Sequence, residues 1–166
     1  MVKTEIEQKF LFLYLPYDKL TFHQKTTVYR KYLSINPEIR INRRVFEKEE
    51  RYHLTIKHGT FLKRNEIKLR LSREEYEALF YSINKPPLIM DVYEFFYDEE
   101  HIMSFKICKN VNISFAEMEY KDEDDLLSLS SCVQSQPFIG ENITWDSTYY
   151  SKNIWQYICA NQSVDT

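Results

Sequence analysis

The residues with chemistry in them start near the beginning of the chain, at Glu5-Ile6-Glu7-Gln8-Lys9. In an extended strand successive side chains point to opposite faces, so Glu5, Glu7 and Lys9 share one face while Ile6 and Phe10 lie on the other. Two carboxylates and an ammonium in one row need partners for their charges, and the pattern recurs. Arg40, Asn42 and Arg44 share a face, as do Thr55 and Lys57. Arg64, Glu66, Lys68 and Arg70 alternate with Asn65, Ile67, Leu69 and Leu71; Lys106 sits between Phe105 and Ile107; Glu117 and Glu119 flank Met118. On an ordinary barrel or sandwich such rows face water. Lining a closed barrel, they make a polar tunnel that must neutralise itself or hold a charged ligand, because an unpaired buried ion costs several kcal/mol. Mixed acids and bases suit a polyphosphate with a divalent metal: carboxylates hold the hard cation, and Lys and Arg hold phosphoryl oxygens.

Strands must position these rows, and strand-like runs dominate. Lys3–Leu13, Lys25–Ser34, Glu38–Glu47, Arg51–His58, Arg64–Leu71, Leu88–Tyr97, His101–Lys109 and Ile113–Lys121 are rich in β-branched and aromatic residues. Turn signals part them, among them Asn36-Pro37, His58-Gly59, Asp98-Glu99-Glu100 and Asn110. Eight antiparallel strands closing on themselves would leave no exposed edge. The fold class expected is therefore α+β: an eight-stranded antiparallel β-barrel, or tunnel, with a few helices packed on the outside. Ser72-Arg73-Glu74-Glu75 is a capping box, followed by Tyr76, Leu79, Phe80 and Ile83 at helical spacing. Asp122-Glu123-Asp124-Asp125 loads acid onto the first turn of a second helix, where it suits the helix dipole. A third helix spans 151–159. Residues 1–160 form one domain, with a frayed tail over 161–166.

Composition narrows the function. At 166 residues with 43% hydrophobic and 16% aromatic content, the chain is long enough for one domain with a sizeable core. A net charge of −3 argues against broad nucleic-acid or anionic-membrane binding. No apolar run reaches membrane-spanning length and no signal-peptide pattern opens the chain. Cys108, Cys132 and Cys159 are odd in number and widely spaced, which favours free thiols in a reducing cytoplasm. Only two glycines, Gly59 and Gly140, are present. A glycine-rich phosphate cradle is thus excluded, and any phosphate must be held by side chains. The four histidines have no metal-ligand spacing with carboxylates, no serine or cysteine lies in a nucleophile motif, and no basic stripe accompanies the tyrosines to suggest single-stranded nucleic acid.

Glu5-Ile6-Glu7-Gln8-Lys9-Phe10 resembles the E-x-E-x-K signature of the CYTH family, the triphosphate tunnel metalloenzymes. The similarity continues in order through Tyr32-Leu33-Ser34, Pro37-Glu38-Ile39-Arg40, Leu54-Thr55-Ile56-Lys57 and Ala116-Glu117-Met118-Glu119-Tyr120. It ends in Ile139-Gly140-Glu141-Asn142-Ile143-Thr144 with Asp146 and Tyr149. The resemblance implies an eight-stranded tunnel in which Glu5, Glu7, Glu117 and Glu119 are metal ligands, Glu117 and Glu119 joining Glu5 and Glu7 across the lumen. It implies phosphoryl-binding roles for Lys9, Arg40 and Lys57; Arg44, Lys68, Arg70 and Lys106, which the resemblance does not supply, are added from their strand faces as further candidate substrate-binding cations. Lys9 and Glu117 are the catalytic pair expected, and Mg²⁺ or Mn²⁺ the cofactor.

Several positions depart from the family pattern. Its second arginine on the third strand is Asn42. Glu66 matches the first acid of the central strand, but Lys68 and Arg70 stand where further acids are usual. The K-x-R of the sixth strand becomes Asp91-Val92-Tyr93 in a gapless alignment, Lys106 replaces an acid on the seventh, and Thr148 replaces a late basic residue. Acids and bases are exchanged in both directions, so Asp91 is expected to pair with Lys68, Arg70 or Lys106. The leading expectation is a metal-dependent phosphohydrolase of tripolyphosphate or a nucleoside triphosphate. The alternatives are a degenerate tunnel that binds a nucleotide, polyphosphate or partner without turnover and, third, an adenylyl cyclase. A homodimer stays open.

Overall fold

The computed structural model describes residues 1–161. Nine strands run in chain order: β1 (Val2–Phe12), β2 (Thr21–Ser34), β3 (Glu38–Val45), β4 (Glu50–Gly59), β5 (Lys63–Leu71), β6 (Leu88–Phe96), β7 (Ile102–Cys108), β8 (Ser114–Tyr120) and β9 (Ile139–Asn142). Eight of them close in the order β1-β5-β4-β3-β2-β6-β7-β8 and back to β1, with every pairing antiparallel. The expected barrel is present, and its strand bounds fall within a few residues of those read from alternation. The ninth strand was missed: Ile139–Asn142 is too short to show a period, and it pairs only with the end of β1.

β1 is the closing strand. One edge pairs with β8 from Ile6 to Phe10, and the other is shared, with β5 along Val2–Ile6 and β9 near Phe10–Phe12. Between those two partners single bonds hold the seam, from Glu7 N to Leu62 O and from Ile143 N to Lys9 O.

Three helices complete the fold. α1 (Arg73–Ser82) starts at the expected capping box, with Ser72 and Glu75 bonded reciprocally. α2 (Glu123–Gln134) is capped by Asp122. α3 (Ser151–Asn161) includes Asn161, which the sequence reading had placed in the tail; the rest of that tail lies outside the described residues.

Two apolar clusters follow from the strand period. Ile6, Phe10, Phe105, Met118 and Tyr120 point outward and are covered by α2 through Val133, together with Phe138. Val28, Met90, Val92 and Phe115 point inward and meet Ile154, Trp155 and Ile158 of α3, which therefore packs over one end of the lumen. Cys108, Cys132 and Cys159 are all free, and no described helix is long and apolar enough to cross a membrane.

A charged tunnel as the candidate active site

The lumen holds two adjoining cavities, one of about 360 Å³ opening at the mouth away from α3 and one of about 30 Å³ at the α3 end. Because β1, β3, β4, β5 and β8 each turn an ionisable row inward, the walls are mostly charged, with an apolar strip from β2 and β6 at Val28, Met90 and Val92. Glu5, Glu7, Lys9, Arg30 and Lys57 are each no more than 8% exposed.

The ion pairs form a connected lattice. Lys57 bonds Glu5 and lies 3.3 Å from Glu66. Arg64 bonds Glu7. Glu117 sits between two ammonium groups, Lys9 at 2.6 Å and Lys106. Arg40 and Arg64 approach Glu38 at 3.4 and 3.7 Å. Nearer the open mouth Arg44 reaches Glu94 at 2.8 Å and Thr26 at 3.0 Å, and Lys3 bonds the exposed Glu119.

Desolvation and charge compete throughout. Burial would raise the Glu117 carboxyl, but Lys106 and Lys9 hold it well below the ordinary range. Burial brings the Lys106 ammonium down to about 8 despite Glu117, with Lys9 and Arg30 adding repulsion. Burial also opposes ionisation of Glu66, but Lys57, Arg40 and Lys68 outweigh it and lower its pKa. Lys68 is lowered by burial more than Glu66 can restore, and His53 is lowered by burial and by Lys68 and Arg70. The open mouth is accordingly rich in positive charge.

Of the expected site residues, Glu5, Glu7, Lys9, Arg40, Arg44, Lys57, Lys68, Lys106, Glu117 and Glu119 all line the lumen. Arg70 does not: it stands opposite His53 in register and lines a surface pocket beside Glu50 and Tyr52. Glu117 and Glu119 do not face Glu5 and Glu7 across the lumen. β8 is the neighbour of β1, so Glu119 lies directly beside Glu7 and Glu117 beside Lys9.

The sixth strand is corrected by one residue. Its lumen positions are Met90, Val92 and Glu94, so Asp91 and Tyr93 face outward. Asp91 accepts from Thr27 at 2.7 Å and pairs with Lys25 at 3.4 Å and Lys109 at 3.8 Å, not with Lys68, Arg70 or Lys106. A gapless alignment carried one residue too far, and in a strand one residue changes the face.

Sequence reasoning gave no role to Arg30, Glu38, Glu94, Ser151 or Lys152, all of which line the lumen. Arg30 stands directly opposite Asn42 in the β2–β3 ladder and donates to its Oδ1 at 2.7 Å. Arg30 thus brings a guanidinium to the lumen wall beside Asn42 from the adjoining strand. Inward-facing Thr26 and Val28, four and two residues earlier, carried the signal for Arg30.

No three His, Cys, Asp or Glu side chains among the described residues converge as a ready metal cage. Magnesium needs less, since it is commonly held by one or two carboxylates together with substrate phosphates. Glu7 and Glu119 are an adjacent like-charged pair in register on one face. Like charges so placed repel; Arg64 and Lys3 each offset one of them, and the hard carboxylate oxygens suit that mode of binding.

No family model matches the sequence, and no curated protein matches it. Solved structures do match the fold. The inorganic triphosphatase NE1496 superposes with a TM-score of 0.60 at 19% identity, over 91% of this chain and 93% of that one. PH1819 from Pyrococcus horikoshii OT3 gives 0.61 at 13% identity, over 82% and 93%. HpAC1 from Hippeastrum, an adenylyl cyclase by name with a dominant triphosphatase activity, gives 0.51 at 9% identity, over 81% and 86%. At these identities the likeness establishes the tunnel fold.

Proposed function

We propose that the tunnel binds a triphosphate, as tripolyphosphate or as the arm of a nucleotide, and hydrolyses its terminal phosphoric anhydride. The observation that carries this reading is the surplus of positive charge along the walls: eleven lysines and arginines, with Lys3, Arg51 and Lys68 at the exposed rim, line the two cavities against seven glutamates. A triphosphate brings about four to five negative charges, close to that difference. Arg40 and Lys57 exchange their glutamate partners for phosphoryl oxygens, and Arg44 and Lys68 meet the trailing end at the mouth. Glu117, kept ionised by Lys9 and Lys106, orients the attacking water. Glu7 and Glu119 would hold Mg²⁺ or Mn²⁺ jointly with the phosphates, and such a cation supplies Lewis-acid neutralisation of charge developing on the phosphoryl oxygens. The shared fold of NE1496, an inorganic triphosphatase, supports the reading.

A second reading, binding without turnover, is favoured by one contact: the Lys106 ammonium on Glu117. Incubating the protein with tripolyphosphate and each nucleoside triphosphate, with Mg²⁺ or Mn²⁺, separates the cases. Cation-dependent phosphate release that is lost in Glu117→Gln is the expected result. Tight binding without release supports the second reading, pyrophosphate with a cyclic nucleotide indicates a cyclase, and absence of binding refutes all three.

A further inference from the structure

A further pocket lies outside the barrel, between α1 and the strands beneath it. Tyr29, Arg43 and Tyr52 stand side by side in register on β2, β3 and β4. Their chain neighbours Arg30, Asn42, Arg44 and His53 line the lumen, so in extended strands these three face outward. The capping box at Ser72 starts α1 so that Tyr76 and Phe80, one turn apart, come down on that row. The Tyr76 ring lies 5.1 Å from that of Tyr52 and 5.3 Å from that of Phe80, and the Arg43 guanidinium lies 5.2 Å from the Tyr29 ring. With Arg73, Glu77 and the exposed Tyr81 they wall a cavity of about 50 Å³.

Two donors of this pocket lack an acceptor. Tyr76 is 3% exposed and its hydroxyl is buried without a partner, as is Nε of Arg43. Burial pushes the Tyr76 phenol up, although Arg43 opposes it, so the oxygen keeps its proton. The charges nearby are already matched. Arg43 donates to Glu50 at 2.6 Å and Arg73 to Glu77 at 2.8 Å. The Lys31 ammonium, over the Phe80 ring, donates to the Phe80 and Ile83 carbonyls at 2.9 Å. An anionic ligand would set one more negative charge beside Glu50 and Glu77, so the partner that fits is an uncharged acceptor oxygen. The aromatic walls favour one carried on a flat ring. A cavity of about 150 Å³ takes in a whole benzene. The smaller volume here admits the oxygen and one edge of the ring, the remainder lying against Tyr81, which is 76% exposed.

We propose that this pocket binds a small, uncharged aromatic molecule through a carbonyl oxygen that accepts from the Tyr76 hydroxyl and from Arg43 Nε. The site is on the outer wall, separate from the tunnel, and does not depend on the triphosphate reading.

Amide-resolved NMR titration of the wild-type protein tests it with three probes: benzamide, toluene, which keeps the ring without the acceptor, and benzoate, which adds a charge. Benzamide is expected to shift the signals of Tyr76 and Phe80 with a Kd of about 1 mM, and toluene and benzoate to bind about 10-fold more weakly. Tyr76→Phe keeps the ring and removes only the hydroxyl. It is expected to weaken benzamide about 5- to 10-fold and to leave toluene unchanged within about twofold. If that variant does not fold, the comparison of the three probes on wild type decides alone. Toluene or benzoate binding as tightly as benzamide, no shift at α1 by about 10 mM benzamide, or a folded Tyr76→Phe that binds benzamide like wild type overturns the proposal.

Discussion

Replacing Lys106 by methionine is expected to make the protein more stable and a poorer binder of triphosphate. Lys106 is buried, shares Glu117 with Lys9, and has its ammonium brought from 10.5 down to about 8. At about 1.4 kcal/mol per pKa unit, the folded chain carries roughly 3 kcal/mol against the charged form. Below pH 8 both the folded and unfolded chains hold the proton, and that penalty is complete. Between pH 8 and 10.5 the folded chain has released it while the unfolded chain has not, so stability rises with pH. Methionine fills a similar volume without charge. It also removes one of the two ammonium groups on Glu117, but Lys9 remains 2.6 Å away. The expected net gain is about 1–3 kcal/mol at pH 7, roughly 2–12 °C in Tm for a chain of this size, shrinking toward zero by pH 10.5. Urea melts of both proteins at pH 7, 8.5 and 10 measure it. A methionine variant less stable than wild type at pH 7, or a difference that does not change with pH, would refute the reasoning.

Three further outcomes follow from single contacts. His101 is buried with Nδ1 2.7 Å from Asp98 and Nε2 2.7 Å from Asp125, and although burial opposes it, those carboxylates raise its pKa. Its stabilisation is complete below about pH 6.5 and lost as pH rises through the higher folded value, so His101→Gln should cost about 2 kcal/mol at pH 6 and visibly less at pH 9 by denaturant titration. Gly59 has φ +133°, and a Cβ there would lie 2.7 Å from the Lys63 carbonyl oxygen; Gly59→Ala should cost about 2 kcal/mol or more, read as a lowered thermal midpoint. Asp91→Asn should leave tripolyphosphate affinity unchanged within about twofold, because that side chain lies on the outer wall; a large loss by calorimetry would return Asp91 to the lumen.

The barrel was legible because period-two alternation survives over eight strands, and the α1 and α2 starts because Ser72 and Asp122 are strong caps. Most of the lumen was legible for the same reason, since Glu5, Lys9, Arg40, Lys57 and Glu117 lie on faces that alternation assigns. What failed were matters of register between strands. Asp91 fell on the wrong side by one residue, and the pairing of β1 with β8 set Glu7 beside Glu119 rather than opposite it. The inward face of Arg30 could be read from Thr26 and Val28, but its contact with Asn42 could not, because that residue lies twelve positions along the chain yet directly across a ladder. Arg70 alternates correctly yet lies beyond the walled part of the lumen, where no pattern marks the end of the wall.

The seam on β1 ties assembly to recognition. The strand carrying Glu5, Glu7 and Lys9 finds its partners more than fifty residues away on one side and more than a hundred on the other, contacts of a kind that form slowly. Until it zips into place there is no enclosed channel, and β5 and β8 present raw edges open to pairing with other chains. A ligand gripped inside therefore acts as a rivet across that join, favouring the closed form in proportion to how far its concentration exceeds its dissociation constant.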